Sequence, residues 1–348
     1  MINIVGWDIG GANVKAAWLV IDGGIVASTA VASRPFEIWR DKERLPDILL
    51  SVFAEVSRGL QPQAMAVTMT AELADVFETK REGVLFVLES LAACFPNCPM
   101  YALSLSGEFV PLAEAQARPL DFAAANWLAS ALWIAGQHPD CLIVDVGSTT
   151  TDILPVLDGQ VRTQGRTDLE RLISGELVYT GILRTNLAAI VQTVPVRGRI
   201  SRVASEYFAI SADMHLILGN LVTEDYTCPT PDGRPPSLES ARQRLVRLVC
   251  ADTEMLSSPE IDEIARYVFE QQVRQVSEAI LQVASCLPGR RDLPMVALGA
   301  GRFLAIEVAR RLGIEVVNLP ATESQAESAV APCIAAGCLL AEQLASRT

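Results

Sequence analysis

The chain has 348 residues, of which half are hydrophobic and 20% are charged, a composition that predicts two well-packed globular domains. Its net charge of −13 at pH 7 argues against nucleic acid or anionic membranes as partners. No apolar stretch reaches transmembrane length, and Met1 leads directly into a predicted strand, so a cytoplasmic location is expected.

The eight cysteines are scattered, mostly in apolar settings, as is typical of reduced core thiols. Cys94 and Cys98 are the closest pair, but no second ligand pair accompanies them and the chain has only two histidines. A structural zinc site is therefore not expected.

The first part of the chain alternates between strand and helix patterns, which predicts an α/β layer with a mixed sheet. Pro46 is tolerable because it falls in the first turn of a predicted helix. The predicted elements are strands Asn3–Asp8, Val14–Ile21 and Gly24–Ala32, helix Leu45–Ser57, strand Ala64–Thr70, helix Gly83–Cys94 and strand Met100–Ser104.

An apolar, Ala-rich helix over Phe122–Ile134 is predicted next, as a crossing between the two halves. The second half then repeats the opening pattern, with strands over Cys141–Val146 and Thr151–Val156. Residues 174–287 are predicted to be mostly helical, interrupted by prolines at Thr227–Pro236. The remaining predictions are a long helix Ser258–Leu287, a strand before Gly299, a helix Phe303–Leu312, a strand Glu315–Asn318 and a second crossing helix Ser324–Ala345.

Two short segments have nearly the same pattern, Asp8–Lys15 and Asp145–Asp152. Each follows an apolar run and contains an aspartate, an apolar residue, a glycine and a small polar patch. Glycine lets backbone amides approach phosphate oxygens, while hydroxyls and a lysine add donors. The predicted phosphate-binding residues are Gly10, Gly11, Ala12, Asn13, Lys15, Gly147, Ser148, Thr149 and Thr150.

Asp8 and Asp145 would repel phosphate, so they are predicted to hold a divalent cation, Mg²⁺, usually through water. The pair of turns predicts a cleft whose opposing walls both bind phosphate. An ordinary β-hairpin with a glycine turn and an aspartate cap is the alternative for either segment alone.

A third glycine-rich segment runs from a strand through Gly299 and Gly301 into a helix. These glycines would let an adenine or another flat ring pass close to the backbone. Tight packing of the strand against the helix explains them equally well, and the pattern is not a dinucleotide-binding fingerprint.

The two aspartate–glycine turns, the glycine-rich turn and the two small-residue helices together resemble the actin, Hsp70 and sugar kinase superfamily. Within it, the chain resembles the hydantoinase/oxoprolinase group. Three segments, Ala66–Gly83, Ser174–Thr185 and Glu206–Gly219, are similar in sequence to the branch linked to tetrahydromethanopterin-dependent one-carbon transfer, although Ala71 stands where glycine is expected.

The resemblance implies a two-lobed α/β fold of the ribonuclease H-like kind, with duplicated mixed-sheet domains and a central cleft. The first lobe would comprise residues 1–137, completed by a C-terminal helix at 324–348. The second lobe would comprise residues 138–323, including a mostly helical insertion at about 174–290.

The resemblance also implies a cytoplasmic transferase of methanofuran-type cofactor biosynthesis. It would join an aminomethyl-furanyl-methyl diphosphate to γ-glutamyltyramine, or to a tyrosine analogue, and release diphosphate with the help of Mg²⁺. The implied catalytic residues are Asp8, Lys15, Asp145 and Glu176, and the implied substrate residues are Tyr179, Arg184, Asp213 and His215.

In this scheme Glu176, Asp213 or His215 accepts the phenol proton, and Arg184 pairs with the glutamyl carboxylate. Each residue also has a structural alternative. Glu176 and Arg184 would be surface residues of one helix face, Tyr179 a packing residue, Asp213 a helix cap and His215 a hydrogen-bonded core imidazole.

Two other functions compete with the transferase. An ATP-dependent hydantoinase/oxoprolinase-type enzyme or small-molecule kinase would bind adenosine at Gly299–Gly301. A nucleotide-operated switch of the actin or Hsp70 kind would act through domain closure. The expected partners are small molecules, and a homodimer is compatible with the sequence.

Overall fold

The computed structural model describes residues 1–287, 292–317 and 331–346, which divide into two compact units. The first unit contains Met1–Cys141, Val156–Glu170 and the C-terminal residues 331–346. The second unit contains Leu142–Pro155 and, of the described residues, 171–287 and 292–317. Residues 324–330 of the predicted C-terminal helix lie outside the described residues.

The strands are numbered in chain order. They are β1 Ile2–Gly10, β2 Asn13–Asp22, β3 Ile25–Pro35, β4 Ala64–Thr70, β5 Met100–Leu103, β6 Phe109–Pro111, β7 Cys141–Val146, β8 Thr151–Leu157, β9 Gln160–Val161, β10 Leu177–Val178, β11 Thr193–Val196, β12 Arg199–Arg202, β13 Met295–Leu298 and β14 Val316–Val317.

The α-helices are numbered in the same way. They are α1 Leu45–Ser57, α2 Lys80–Cys94, α3 Leu112–Ala117, α4 Asn126–Ala135, α5 Asp168–Ser174, α6 Leu187–Ile190, α7 Ser211–Ile217, α8 Leu238–Leu245, α9 Ser258–Ser285, α10 Arg302–Leu312 and α11 Ala331–Ala345.

The sheet of the first unit has the order β3-β2-β1-β4-β5-β6. The central strand β1 pairs antiparallel with β2 and parallel with β4, so that Gly10 lies opposite Thr70. Because β1 and β4 are buried along most of their length, their sequences are nearly continuous apolar runs rather than alternating ones.

The sheet of the second unit has the order β10-β8-β7-β13-β14, with β9 attached to β8. Strand β7 pairs parallel with β13, which places Asp145 opposite Leu298. The long helix α9 begins at a capping box formed by Ser257 and Glu260. Both sheets therefore contain a strand, an aspartate–glycine turn and a second strand, and the predicted repeat is confirmed.

Two sequence predictions were wrong. The helix predicted over Phe122–Ile134 begins only at Asn126, because Ala124 has a left-handed backbone with φ of 51° and cannot continue a helix. The region after residue 174 contains β10 and the β11–β12 hairpin before its long helix. Positive φ at both Arg197 and Gly198 allows the tight hairpin turn.

The helices that the structure describes include none that is both long enough and apolar enough to cross a bilayer.

Gly6 of β1 lets the backbone of α11 lie directly on the sheet. A Cβ atom at residue 6 would overlap the carbonyl group of Cys333, lying 2.8 Å from its carbon and 3.3 Å from the amide nitrogen of Gly337. The small residues of α11 thus allow close packing against the sheet of the first unit.

We expect Gly6→Ala to lower the free energy of unfolding by about 2–4 kcal/mol, because two backbone segments would have to separate. Gly136→Ala is the matched control, since its Cβ would meet only an ordinary contact at 3.6 Å. Urea titration of both variants measures the difference. Equal stabilities would contradict the close packing of α11 on β1.

Candidate functional site

The first turn connects β1 to β2 through Gly11 and Ala12, both partly exposed. Its carbonyl groups are engaged, since Gly11 accepts a hydrogen bond from the amide of Ile38 at 3.1 Å and Ala12 accepts one from Phe36 at 2.9 Å. The amides of Gly11 and Ala12 donate to no group in the part of the chain that the structure describes. The turn therefore presents donors, as a phosphate requires.

Asp8 and Lys15 face each other across the base of this turn. They are opposite residues of β1 and β2, and Lys15 Nζ lies 3.8 Å from Asp8 Oδ2. The Asp8 side chain is nearly buried, whereas the Lys15 side chain is 26% exposed. Lys15 can thus offer its ammonium group to an anion at the turn while it remains next to Asp8.

The second turn connects β7 to β8, and its four residues Gly147, Ser148, Thr149 and Thr150 are partly exposed. The amide of Gly147 donates to Thr150 O at 2.8 Å, which closes the turn. The carbonyl groups of Gly147 and Ser148 are engaged by a following segment, as in the first turn. The structure thus builds both predicted turns by the same rule.

The segment that holds the second turn is Thr180–Arg184. Ile182 donates its amide to Gly147 O at 3.1 Å, and Leu183 and Arg184 both donate to Ser148 O at 3.0 Å. Gly181 permits this approach, because a Cβ there would lie 2.5 Å from the amide nitrogen of Thr149. The segment 174–185, which resembles the family in sequence, therefore holds the second turn in place through backbone hydrogen bonds.

Gly299 and Gly301 pack against the same turn from the β13 side. A Cβ at Gly299 would lie 2.7 Å from the carbonyl carbon of Val146, and Gly301 donates its amide to Val146 O at 2.8 Å. Protein atoms thus fill the space in front of these glycines, which supports the packing interpretation. Ring or nucleotide binding here stays a prediction.

Gln272 of α9 ties this region to His215. Its Nε2 donates to Gly181 O at 2.9 Å and to Thr180 Oγ1 at 3.0 Å, so its Oε1 must accept from His215 Nε2 at 3.0 Å. His215 Nδ1 then accepts from Asn220 at 3.3 Å. Complete burial lowers the pKa of His215 to about 3. The imidazole is neutral with both nitrogens used, which favours the core interpretation of His215 over substrate binding.

Asp213 belongs to a separate buried network. Its Oδ2 accepts from the amide of Ile210 at the start of α7, while its Oδ1 accepts from Arg244 at 2.6 and 2.9 Å and from Tyr226 at 2.9 Å. Arg244 is fully buried and also contacts Asp232 at 3.1 Å. These bonds favour the capping interpretation of Asp213 over proton transfer.

The predicted catalytic residue Glu176 and the two remaining predicted substrate residues, Tyr179 and Arg184, lie in a segment of bends around β10 rather than on one helix face. Glu176 is buried, and its Oε2 accepts from Ser174 at 2.8 Å. Tyr179 is 61% exposed and Arg184 is partly exposed. The helical spacing assumed for Glu176 and Arg184 was wrong, because the chain does not form a helix there.

The described residues do not provide enough ligands to hold a metal ion without help from a substrate or water. Residues 1–287, 292–317 and 331–346 contain no cluster of three or more histidine, cysteine or acidic side chains that would hold an ion. Asp8 and Asp145 each provide one carboxylate at the base of a turn. A Mg²⁺ ion would fit only with most of its ligands supplied by phosphate oxygens and water, which is how Mg²⁺ usually binds.

Glu72 was not predicted as a site residue, although it lies within the segment Ala66–Gly83 that resembles the family. It follows the end of β4, is 1% exposed, and neither of its carboxylate oxygens has a hydrogen-bond partner among the described residues. Burial raises the pKa of Glu72 to about 7, although Lys80 and the nearby amides of Glu72 and Ala124 act in the opposite direction. Its polar character amid apolar residues was the only signal in the sequence.

The fold and the two turns define the class of protein. The structure is similar to a ROK family glucokinase from Streptomyces griseus in complex with glucose and AMPPNP, with a TM-score of 0.50, 15% identity and coverage of 97% of this chain and 98% of that one. A nucleotide-free acetone carboxylase gives a TM-score of 0.59 at 10% identity, covering 97% of this chain and 70% of that one. The fold is that of the actin, Hsp70 and sugar kinase superfamily, as predicted.

Within this class, the chain belongs to the hydantoinase/oxoprolinase family, whose profile matches residues 63–344. The (4-{4-[2-(gamma-L-glutamylamino)ethyl]phenoxymethyl}furan-2-yl)methanamine synthase of Methanocaldococcus jannaschii is 36% identical over 345 residues, 99% of both chains. The protein of the same name from Methanococcus vannielii is 36% identical over 160 residues, 46% of this chain and 71% of that one. The predicted relationship is confirmed, and these relatives indicate an enzyme of the synthase kind.

We expect the isosteric Glu72→Gln variant to change how stability depends on pH. The pKa of Glu72 in the folded protein is about 7, above its ordinary value of 4.5. The ionisation of Glu72 therefore lowers the wild-type free energy of unfolding as pH rises from about 4.5 to 7. The loss is at most about 3 kcal/mol. Glutamine has no charge to bury, so the variant gains stability relative to the wild type between pH 4 and pH 8.

Urea titrations at the two pH values measure this gain. Glu89→Gln is the control, because Glu89 is an exposed residue of α2, the helix that packs on Glu72. A difference between Glu72→Gln and wild type that is the same at pH 4 and pH 8 would show that Glu72 is ionised normally.

Proposed function

We propose that this protein is a transferase of methanofuran-type cofactor biosynthesis. It joins an aminomethyl-furanyl-methyl diphosphate to the phenol of γ-glutamyltyramine, or of a tyrosine analogue, and releases diphosphate. The observation that carries the proposal is the 36% identity, over 99% of both chains, to the synthase of Methanocaldococcus jannaschii. That name describes a product with a phenoxymethyl-furan linkage, which is the bond that this reaction would form.

The two turns suit the chemistry of a diphosphate leaving group. A furan ring stabilises positive charge on its methylene carbon, so departure of diphosphate needs mainly electrostatic help. In the first turn, free amides at Gly11 and Ala12 and the ammonium group of Lys15 supply it. The second turn adds the hydroxyls of Ser148 and Thr149, which lie 3.4 Å apart. Each turn is proposed as a phosphate-binding element.

Mg²⁺ is proposed as the cofactor, with Asp8 and Asp145 as water-mediated ligands. When bound it would neutralise charge on the diphosphate oxygens. At each turn the aspartate would balance the charge of the cation, and at the first turn the amides and Lys15 would contact the anion.

The deciding experiment compares two reactions of the purified protein. We expect diphosphate release and coupled product from the furan diphosphate with γ-glutamyltyramine, no ADP release from ATP, and loss of turnover on chelation that added Mg²⁺ restores. Turnover of ATP alone would instead support a hydantoinase/oxoprolinase-type enzyme or a kinase. A nucleotide-operated switch would bind ATP without forming any coupled product.

We expect Lys15→Met to weaken diphosphate binding by about 10–100-fold, because a charged hydrogen bond contributes about 1.5–3 kcal/mol. Lys42→Met is a close control, since the side chains of Lys15 and Lys42 are both 26% exposed and each forms an ion pair. Isothermal titration with magnesium diphosphate measures both variants. Equal effects of the two substitutions would remove Lys15 from the phosphate site.

A further inference from the structure

Glu72 lies at the edge of the sheet where the first turn emerges. Strands β1 and β4 are parallel neighbours, and Gly10, which begins the turn, lies opposite Thr70 at the end of β4. Glu72 follows Thr70 by two residues, in the short 3-10 turn Ala71–Leu73. The carboxyl ends of parallel strands are where α/β proteins usually bind their ligands. Glu72 and the first turn therefore share one ligand-binding edge within the first unit.

The packing around Glu72 is unusually close. Helix α2 lies directly on its backbone, since a Cβ at Gly83 would be 2.5 Å from the Cα of Glu72. The amide of Ala124 is also near the carboxyl group, and Ala124 is held in a left-handed conformation with φ of 51°. Such conformations are strained for a residue with a Cβ, and they concentrate at functional sites. Yet this enclosure gives neither Glu72 oxygen a hydrogen-bond partner in the described parts of the chain.

Two charged groups face the Glu72 carboxyl, Lys80 from α2 and Asp168 from the start of α5. Lys80 Nζ lies 4.0 Å from Glu72 Oε1 and 2.8 Å from Asp168 Oδ2. The side chains of Lys80 and Asp168 are 31% and 21% exposed. Lys80 thus contacts Glu72 and Asp168 and also reaches solvent, so it connects the buried carboxyl group to the surface.

We propose that Glu72 is the catalytic base that accepts the proton of the substrate phenol, an inference that rests on the proposed function. As the phenol oxygen forms its bond to the furan methylene carbon, the bond from that carbon to diphosphate oxygen breaks. Diphosphate leaves with the electron pair, and the phenol proton moves to a Glu72 oxygen. The proton then passes to solvent along Lys80 and Asp168, which reach the surface.

The three bases suggested by the sequence are less suited to this role. His215 is neutral with both ring nitrogens hydrogen-bonded, and Asp213 is bound to Arg244 through two bonds. Glu176 accepts a hydrogen bond from Ser174. A base works best when its pKa lies near the working pH, and Glu72 has a pKa of about 7.

The test uses Glu72→Gln, which retains the shape of the side chain and should still bind magnesium diphosphate with wild-type affinity. We expect kcat for γ-glutamyltyramine to fall by about 100-fold or more, and the wild-type rise of kcat with pH, centred near 7, to disappear. Glu72→Asp retains a carboxylate and should recover part of the rate. Glu89→Gln, at an exposed position of helix α2, should match the wild type.

A second substrate separates catalysis from a merely structural effect. The γ-glutamyl derivative of a ring-fluorinated tyramine has a more acidic phenol, which needs less help to lose its proton. The defect of Glu72→Gln should therefore shrink by at least 10-fold with this substrate.

An unchanged pH profile, or an equal loss with both phenols, would overturn the role of Glu72 while leaving the proposed reaction intact. A wild-type protein that releases no diphosphate from the substrate pair would overturn the reaction itself, and this role with it.

Discussion

The parallel pairing of β1 with β4 is the interaction on which the organisation of the first unit depends. It places Gly10 opposite Thr70, so the glycine turn and the acidic 3-10 turn leave the sheet side by side. The pairing is stable because both strands are buried along most of their length and every ladder hydrogen bond in such a core must be made. Turns from distant parts of the sequence are thereby brought to the same edge of the sheet.

The second unit applies the same construction to β7 and β13. Their parallel register sets Asp145 opposite Leu298, so the second turn lies beside the glycine-rich turn that follows β13. Backbone groups from Ile182 and Gly301 then engage carbonyl oxygens around that turn. In both units the carbonyl groups of the turn accept hydrogen bonds from backbone amides of a later segment. This arrangement orients a turn more rigidly than side chains would, because backbone atoms have little freedom to move once packed.

Burial decides which acidic and basic groups remain available for chemistry. Asp213 and His215 are as deeply buried as Glu72, but their polar atoms are satisfied by Arg244, Tyr226, Gln272 and Asn220. A buried polar group whose hydrogen bonds are all made stabilises a single packing arrangement. Breaking one of those bonds would leave an unpaired polar group in apolar surroundings. Glu72 has a neighbouring cation at 4.0 Å, and its carboxylate oxygens have no hydrogen-bond partner among the described residues, so its proton can be exchanged without dismantling a network.

The sequence by itself determined the two glycine turns, the strands that flank them, helix α1 and the small-residue helix α11, because each depends on spacing within one short segment. It also identified the family, through sequence segments such as Ala66–Gly83. Only the tertiary structure decided that Ala124 would interrupt a helical pattern, that burial would leave His215 neutral, and that Glu72 would be enclosed under α2. The physical reason is that desolvation and hydrogen-bond partnership are set by residues far apart in the chain, and no local pattern records which of them will meet.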